Sequence, residues 1–346
     1  MVSRKSTGRA RKRSGSAGAF FVTLLLLLLA AGGAAWLVLV PYGPSRETFV
    51  EITPGSSSFL IGYQLQTAGI VRNRFAFDLL RFWKPGTLKA GEYRFDHPVP
   101  MTEAYRRIQR GDVYTIEVTI PEGATIFDIA TRLDQAGLCN AHDFLEAQAH
   151  SVDLIQDIDP GAKSLEGYLF PDTYRFPRKA EPVVIVTAMV KRFRSAAADI
   201  GLQQDFRQTV TMASLVERET AIDSERPLVA SVFFNRLEKN MPLGTDPSVI
   251  YGLELSGKWR GQIYESDLKR DTPYNTYLHA GLPPGPVANP GVKSLHAAMQ
   301  PARTDYLYFV AAGSDAQGKS LFSNTLEEHN KNVAGYRSAI KKAGGR

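Results

Sequence analysis

The sequence predicts an α+β protein with a single N-terminal transmembrane helix, a region of small strand–helix modules, and a mixed α+β domain with long functional loops. Three observations predict it. One uncharged apolar run, residues 17–40, is long enough to cross a bilayer. A weak repeat at an offset of 68 residues joins an alternating strand to an amphipathic helix twice. Beyond residue 156, stretches of helical period alternate with segments dense in Gly and Pro. The 346 residues leave room for one large domain or two to three small ones, and 44% hydrophobic with 22% charged residues is globular composition.

The N-terminus comes first. Residues 1–16 form a basic tail carrying Arg4, Lys5, Arg9, Arg11, Lys12 and Arg13, and no acid precedes Glu47. With that tail set aside, basic and acidic residues balance, so the net charge of +6 does not describe a polyanion-binding surface. Nucleic acid is therefore not an expected partner. Residues 17–40 read AGAFFVTLLLLLLAAGGAAWLVLV. As a helix rising about 1.5 Å per residue this run covers about 36 Å, against a bilayer core of about 30 Å. A cleaved signal peptide is the rival reading, but its apolar core is usually about 7–15 residues and this run continues through Trp36 to Val40. Trp36 and Tyr42 suit the far interface. The positive charges before the span predict a cytoplasmic N-terminus and an extracytoplasmic remainder.

Residues 47–155 hold the repeat. ITPGSSSFLIGYQLQTAGIV aligns with TIPEGATIFDIATRLDQAGLC, Gly55 matching Gly123 and Leu65 matching Leu133. Each copy reads as a strand, a turn glycine and a helix stopped by Ala-Gly. With no reactive cluster, this region is expected to bind or to space. Residues 156–346 open with SLEGYLFPDTYRFP. Helical stretches follow at 183–197, 205–220 and 224–240. Residues 241–291 read as long turn-rich loops, 306–310 as a strand, and 330–342 as a closing basic helix. Long irregular segments inside a compact domain usually carry function.

The usual reactive motifs are missing. No histidine pair has His-x-x-x-His spacing, and the single cysteine, Cys139, has no partner for a disulfide or a cluster. No phosphate-binding glycine loop or G-x-S-x-G elbow occurs. Ser266–Lys269 and Ser338–Lys341 match Ser-x-x-Lys without the triplets that complete a penicillin-binding site. No metal or cofactor is expected, and carboxylate chemistry remains.

Glu219 stands out. In TVTMASLVERET, Met212, Leu215, Val216 and Glu219 share one helix face, which leaves Glu217 and Arg218 toward solvent. Partial burial and the negative end of the helix both disfavour its charged form, as a general acid near neutral pH requires. A boundary residue paired with Arg226 or Arg236 reads the same pattern without catalysis. Candidate companions for substrate binding are Glu166, Tyr168, Asn235, Thr245, Asp246, Asn275 and Tyr277. Each could equally be structural. Glu166, Asp246 and Asn275 are expected to line one groove with Glu219 at its floor.

These residues carry a resemblance. LEGYLFPDTY at 165–174, MASLVERET at 212–220, SERPLVASVFFNRLEKNMPLGTDPSVIYG at 224–252, TPYNTYLHAGLPPGPVANPG at 272–291, LYFV at 307–310 and FSNTLEEHN at 322–330 resemble the YceG-like family of membrane-anchored endolytic murein transglycosylases. The resemblance implies cleavage of the β-1,4 bond between N-acetylmuramic acid and N-acetylglucosamine, with 1,6-anhydro-muramyl ends. Glu219, the second Glu of E-x-E-T, would be the single catalytic acid/base. It further implies a LysM-like region within 47–155, a catalytic domain at 156–346, and an anchor in the bacterial inner membrane with the C-terminal domain periplasmic. Peptidoglycan strands would be the substrate, and penicillin-binding proteins or other cell-wall synthases the partners of an enzyme that terminates nascent strands. One departure is visible: Gly244 stands where the family commonly has Gln. An ordinary hydrolase using Glu166, Asp172 or Asp246 as a second carboxylate, and a non-enzymatic peptidoglycan scaffold, remain open alternatives.

Overall fold

The computed structural model describes residues 15–312 and 319–343; the basic tail expected at 1–16 lies almost wholly outside the described residues. Helix α1 (Gly15–Leu39) follows from the apolar run. Its stretch Gly18–Leu39 has a mean hydropathy of 2.4 and is long and apolar enough to cross a membrane; it is exposed but for partial cover of Leu37 and Val38 at its end.

The chain divides into two compact units between Thr115 and Ile116. In the first, α1 is followed by β1 (Thr48–Ile52), α2 (Ser58–Thr67), α3 (Arg74–Trp83), β2 (Gly91–Phe95) and α4 (Met101–Arg110). Strands β1 and β2 pair antiparallel from Thr48↔Phe95 to Ile52↔Gly91. Their alternation turns Val50, Ile52, Tyr93 and Phe95 into a core shared with Ile61, Leu65, Phe77, Tyr105 and Ile108. Ser57 and Asn73 cap α2 and α3 by accepting backbone N–H bonds.

The second unit begins with β3 (Ile116–Thr119), α5 (Ile126–Gln135), α6 (Ala141–Ala149), β4 (Thr173–Phe176) and α7 (Pro182–Asp199). It continues with α8 (Phe206–Glu219), α9 (Arg226–Glu238), α10 (Asp246–Leu255), α11 (Glu265–Leu268) and α12 (Val292–Met299). It closes with β5 (Tyr308–Ala311), β6 (Ser320–Ser323) and α13 (Leu326–Ala343). Helix α8 runs through the core: every residue from Val210 to Val216 is buried, with α9, α10 and α12 packed around it. Gly167 adopts φ +88° where a Cβ would meet Val210 and Pro286 at 2.7 and 2.6 Å, so only glycine lets the 165–170 turn approach α8 this closely.

The repeat exists locally. Gly55 and Gly123 take left-handed φ of +81° and +76° between β1 and α2 and between β3 and α5. Its copies nevertheless fall in different units. The structural division lies at 115/116 instead of the expected 155/156, because β3 pairs with β4, Ile116 opposite Phe176. Ile126, Ile129 and Leu133 of α5 belong to the core that holds Phe144, Tyr168 and Phe193. The segment 241–291, expected as loops, contains α10 and α11, and α13 starts at Leu326, four residues before the expected 330.

Candidate active site

The C-terminal turn of α8 presents two glutamates in different environments. Glu217, expected toward solvent, turns its side chain inward. Its carboxylate accepts from Arg226 Nη1 at 2.7 Å and from Gly291 N at 3.0 Å, and both side chains of the ion pair are 5% exposed. This pair ties α8 to the start of α9. Glu219, half-buried, has no ion-pair partner within bonding distance among the described residues and opens into a cleft of about 620 Å³.

Each wall of the cleft is held by a bond that does not involve a substrate. From α9, Arg236 donates to Leu307 O and Leu243 O, both at 2.7 Å, and its guanidinium lies 5.3 Å from the Tyr308 ring. From the turn before α10, Gly244 N donates to Thr276 O at 2.9 Å, and Thr245 N donates to Thr276 Oγ1 at 3.0 Å. Asp246 opens α10, where the helix dipole favours its charge, and accepts from the Tyr277 hydroxyl at 2.8 Å. From α13, His329 stacks on Tyr308 at 5.2 Å, and neither ring nitrogen has a hydrogen-bond partner among the described residues.

Burial pushes the Glu219 carboxyl up to about 7, and the Asp246 carboxylate pushes the same way. Arg236, the Thr245 hydroxyl and Arg218 oppose the rise. The Thr245 hydroxyl is buried beside Glu219 without a hydrogen bond of normal geometry. A carboxyl poised near neutral pH can release a proton and take one back.

The structure gathers Asp246, Thr245 and Tyr277 around Glu219 and places the other expected residues elsewhere. Glu166 is enclosed: Oε2 accepts from Ile126 N at 2.9 Å and Oε1 from Asn289 Nδ2 at 2.7 Å, and burial pushes its carboxyl up to about 8. Its task is to hold the start of α5. Tyr168 donates to Asp159 at 2.8 Å in the core. Asn235 donates to Thr304 O and Tyr306 O, and Asn275 donates to Leu268 O and Arg270 O, so both amides clamp backbone. Of the three residues expected to share a groove with Glu219, only Asp246 lines its cleft. Cys139 is half-buried, and burial holds its thiol up to about 11.

The profile of the YceG-like family matches residues 50–335. The chain belongs to the YceG-like family. An "endolytic murein transglycosylase" of Bacillus subtilis (strain 168) is 33% identical over 82% of this chain and 82% of its own length. A protein of the same name from Streptococcus pneumoniae (strain D39) is 30% identical over 86% of this chain, which spans 60% of that relative. A 2.6 Å crystal structure of a yceG-like protein from Listeria monocytogenes shares 33% identity and covers 83% of this chain and 99% of its own, with a TM-score of 0.54.

Three lining residues of this YceG-like cleft were not singled out from the sequence: Arg236, Tyr308 and His329. In the sequence Arg236 offers itself only as a salt-bridge partner of Glu219. Tyr308 and His329 reach the cleft from a strand and a helix distant in sequence, which no spacing rule connects to Glu219. Gly244 lines the same cleft with φ +57°, and a Cβ there would stand 3.4 Å from the Tyr277 ring. A longer side chain at 244 would start beside that ring at the edge of the cleft.

Proposed function

We propose that this protein is an endolytic peptidoglycan lytic transglycosylase with Glu219 as its acid/base. The observation that carries the reading is the half-buried Glu219 carboxyl, pushed up to about 7, at the floor of a cleft walled by aromatic and polar side chains. Relatives named endolytic murein transglycosylase support the substrate class.

Protonated Glu219 donates to the glycosidic oxygen between muramic acid and glucosamine, and positive character grows at C1. The resulting carboxylate takes the proton of the C6 hydroxyl of the same sugar. That oxygen attacks C1 and closes the 1,6-anhydro ring. The nucleophile belongs to the substrate, so its effective concentration is high and no second carboxylate need activate a water. Arg236 and Asp246 set the proton affinity of Glu219 in opposite directions, and Tyr277 keeps Asp246 in place. The exposed Tyr277 ring offers a face for a pyranose ring.

One observation favours a second reading. Asp246 lines the same cleft and could activate a water, which makes the enzyme a hydrolase. Asp172 instead pairs with Arg192 at 2.7 Å, and Glu166 is enclosed, so Asp246 alone carries this alternative. Mass analysis of products from purified glycan strands separates the two. Anhydro ends support the transglycosylase, and reducing ends heavier by one water support the hydrolase.

The proposal extends to the whole chain. Helix α1 is a retained single-pass anchor in the bacterial inner membrane, with the N-terminus cytoplasmic and the catalytic unit periplasmic. The β1–α2–α3–β2 arrangement of the first unit supports a LysM-like module for N-acetyl sugars. Termination of nascent strands beside cell-wall synthases, penicillin-binding proteins included, is the cellular role. Protease accessibility in intact cells tests the orientation, and a catalytic unit on the cytoplasmic side would overturn this reading.

A further inference from the structure

Helix α3 exposes an apolar face that the core of its unit does not use. Phe77 points inward and is fully buried. Phe75, Leu79, Phe82 and Trp83, spaced four, three and one apart, share another face and are 63%, 54%, 83% and 77% exposed. The guanidinium of Arg74 lies 4.5 Å from the Phe59 ring of α2 and 4.7 Å from that of Phe75, so the exposed rings of both helices form one patch. Isolated exposed hydrophobics are ordinary in soluble proteins, but a contiguous patch of large aromatics marks an interaction surface.

The patch begins where the apolar helix ends. Arg72, two residues before α3, donates to Val40 O at 2.9 Å and Pro41 O at 3.2 Å. Its guanidinium lies 4.3 Å from the Trp36 ring and 4.6 Å from that of Tyr42. Helix α3 also packs directly against α1. The start of α3 is thus fastened to the aromatic end of α1, at the level where a span meets the headgroups. Arg74, Arg81 and Lys84 flank the patch, against the single acid Asp78 on the helix.

We propose that the α3 face, extended by Phe59 and Tyr63 of α2, lies in the lipid interface as a second membrane contact beside the span, with anionic headgroups meeting Arg74, Arg81 and Lys84. The contact rests on the reading of α1 as a retained anchor and is independent of the reaction at Glu219. The apolar side chains enter the acyl boundary, and the long cationic stems carry their charges back to the headgroups. The contact adds a second attachment beside the span and so fixes the tilt of the first unit against the bilayer.

Tryptophan fluorescence of the full chain in vesicles tests this. The protein has three tryptophans, Trp36, Trp83 and Trp259. With Trp36→Phe and Trp259→Phe, Trp83 reports alone; with Trp83→Phe and Trp259→Phe, Trp36 reports the span. The vesicles contain phosphatidylcholine with or without phosphatidylglycerol, and the lipid is brominated near the headgroup end of its acyl chains. Trp83 emission is expected to shift to the blue, to be quenched by the brominated lipid and to be shielded from acrylamide. Phosphatidylglycerol should strengthen the quenching, and Arg74→Gln, Arg81→Gln and Lys84→Gln together should remove that gain. Phe75→Ser, Leu79→Ser and Phe82→Ser should weaken Trp83 quenching several-fold, and these exposed positions leave the core intact. Quenched Trp36 beside an unquenched, acrylamide-accessible Trp83 would overturn the proposal. So would a Trp83 shielded from acrylamide without lipid quenching, because protein or glycan would then cover the face. An unquenched Trp36 would remove the anchor and the proposal with it.

Discussion

Glu217 and Glu219 flank Arg218 at the end of one helix and meet opposite environments. Glu217 is bonded to Arg226 at 2.7 Å, whereas Glu219 faces a cleft without a bonded cation among the described residues. The first carboxylate fixes the helix end, and the second is left free to titrate. Glu217→Ala leaves the buried Arg226 with the Ser294 hydroxyl at 2.5 Å and, as counter-charges, only the longer contacts of Asp223 and Glu122 at 3.4 and 4.0 Å. Removing one partner of a buried ion pair costs about 3–5 kcal/mol. Denaturant titration should show that loss, together with reduced activity as the end of α8 shifts.

The pH dependence follows from Glu219. Its carboxyl is raised to about 7, and the proposed reaction starts from the protonated form. As pH rises through that value the acid is lost, so kcat/KM should fall on the alkaline side. Asp246→Asn removes a like charge and should move this limb to lower pH. Arg236→Gln removes an opposing cation and should move it to higher pH. A pH–rate profile of the three proteins checks both directions, and a limb unmoved in both variants would separate the profile from Glu219.

Glu166 should affect stability and not chemistry. Its carboxyl ordinarily titrates near 4.5 and is raised to about 8 in the fold. Between those values the native state holds a proton that the unfolded chain has released, so folding stability declines as pH rises through the window. Glu166→Ala removes that slope. It leaves Ile126 N without its acceptor and the Asn289 amide with Ala124 O alone, at about 1–3 kcal/mol for a buried group left unpaired. Thermal melts against pH measure both effects, while kcat of the folded enzyme should stay unchanged.

His329 offers an unpartnered imidazole to the cleft. A sugar hydroxyl or amide bonding to it would be worth about 0.5–1.5 kcal/mol. His329→Ala should therefore raise KM for glycan strands about two- to tenfold, the equivalent of that hydrogen bond, with a smaller change in kcat. Steady-state kinetics with purified strands decides, and an unchanged KM would remove the residue from the binding surface.

Much of this molecule was legible in its sequence, for reasons that differ by region. The apolar run of α1, the alternation of β3 and the period of α7, α8 and α9 are local signals, and local signals fix element type. Glu219 stands out in the sequence because it extends an apolar stripe at a helix end, and the fold puts it at a cleft. Glu217 was misplaced because α8 is buried around most of its circumference, and the two-sided rule for an amphipathic helix does not apply to a core helix. Tertiary pairing set the unit boundary, since β3 finds its partner more than fifty residues downstream in the aromatic segment that opens residues 156–346. Asn275 and Glu166 have the chemistry of site residues, but Asn275 is bonded to backbone carbonyls and Glu166 to the Ile126 amide and the Asn289 side chain, partners that only the folded chain brings near. Arg236, Tyr308 and His329 converge from α9, β5 and α13, a juxtaposition that no sequence spacing encodes.

In the proposed reaction one carboxyl, Glu219, carries the proton in both halves. General acid–base catalysis contributes roughly 10²–10⁴-fold, so Glu219→Gln should lower the rate of strand cleavage by at least that range. The folded variant should bind glycan strands as the unaltered protein does, because the amide keeps the shape of the side chain. The most direct measurement is mass analysis of purified, uncrosslinked glycan strands after incubation with each protein. Shortened strands with 1,6-anhydro ends are expected from the unaltered enzyme and intact strands from Glu219→Gln. Anhydro-ended products at an undiminished rate from the Gln variant would contradict this role of Glu219.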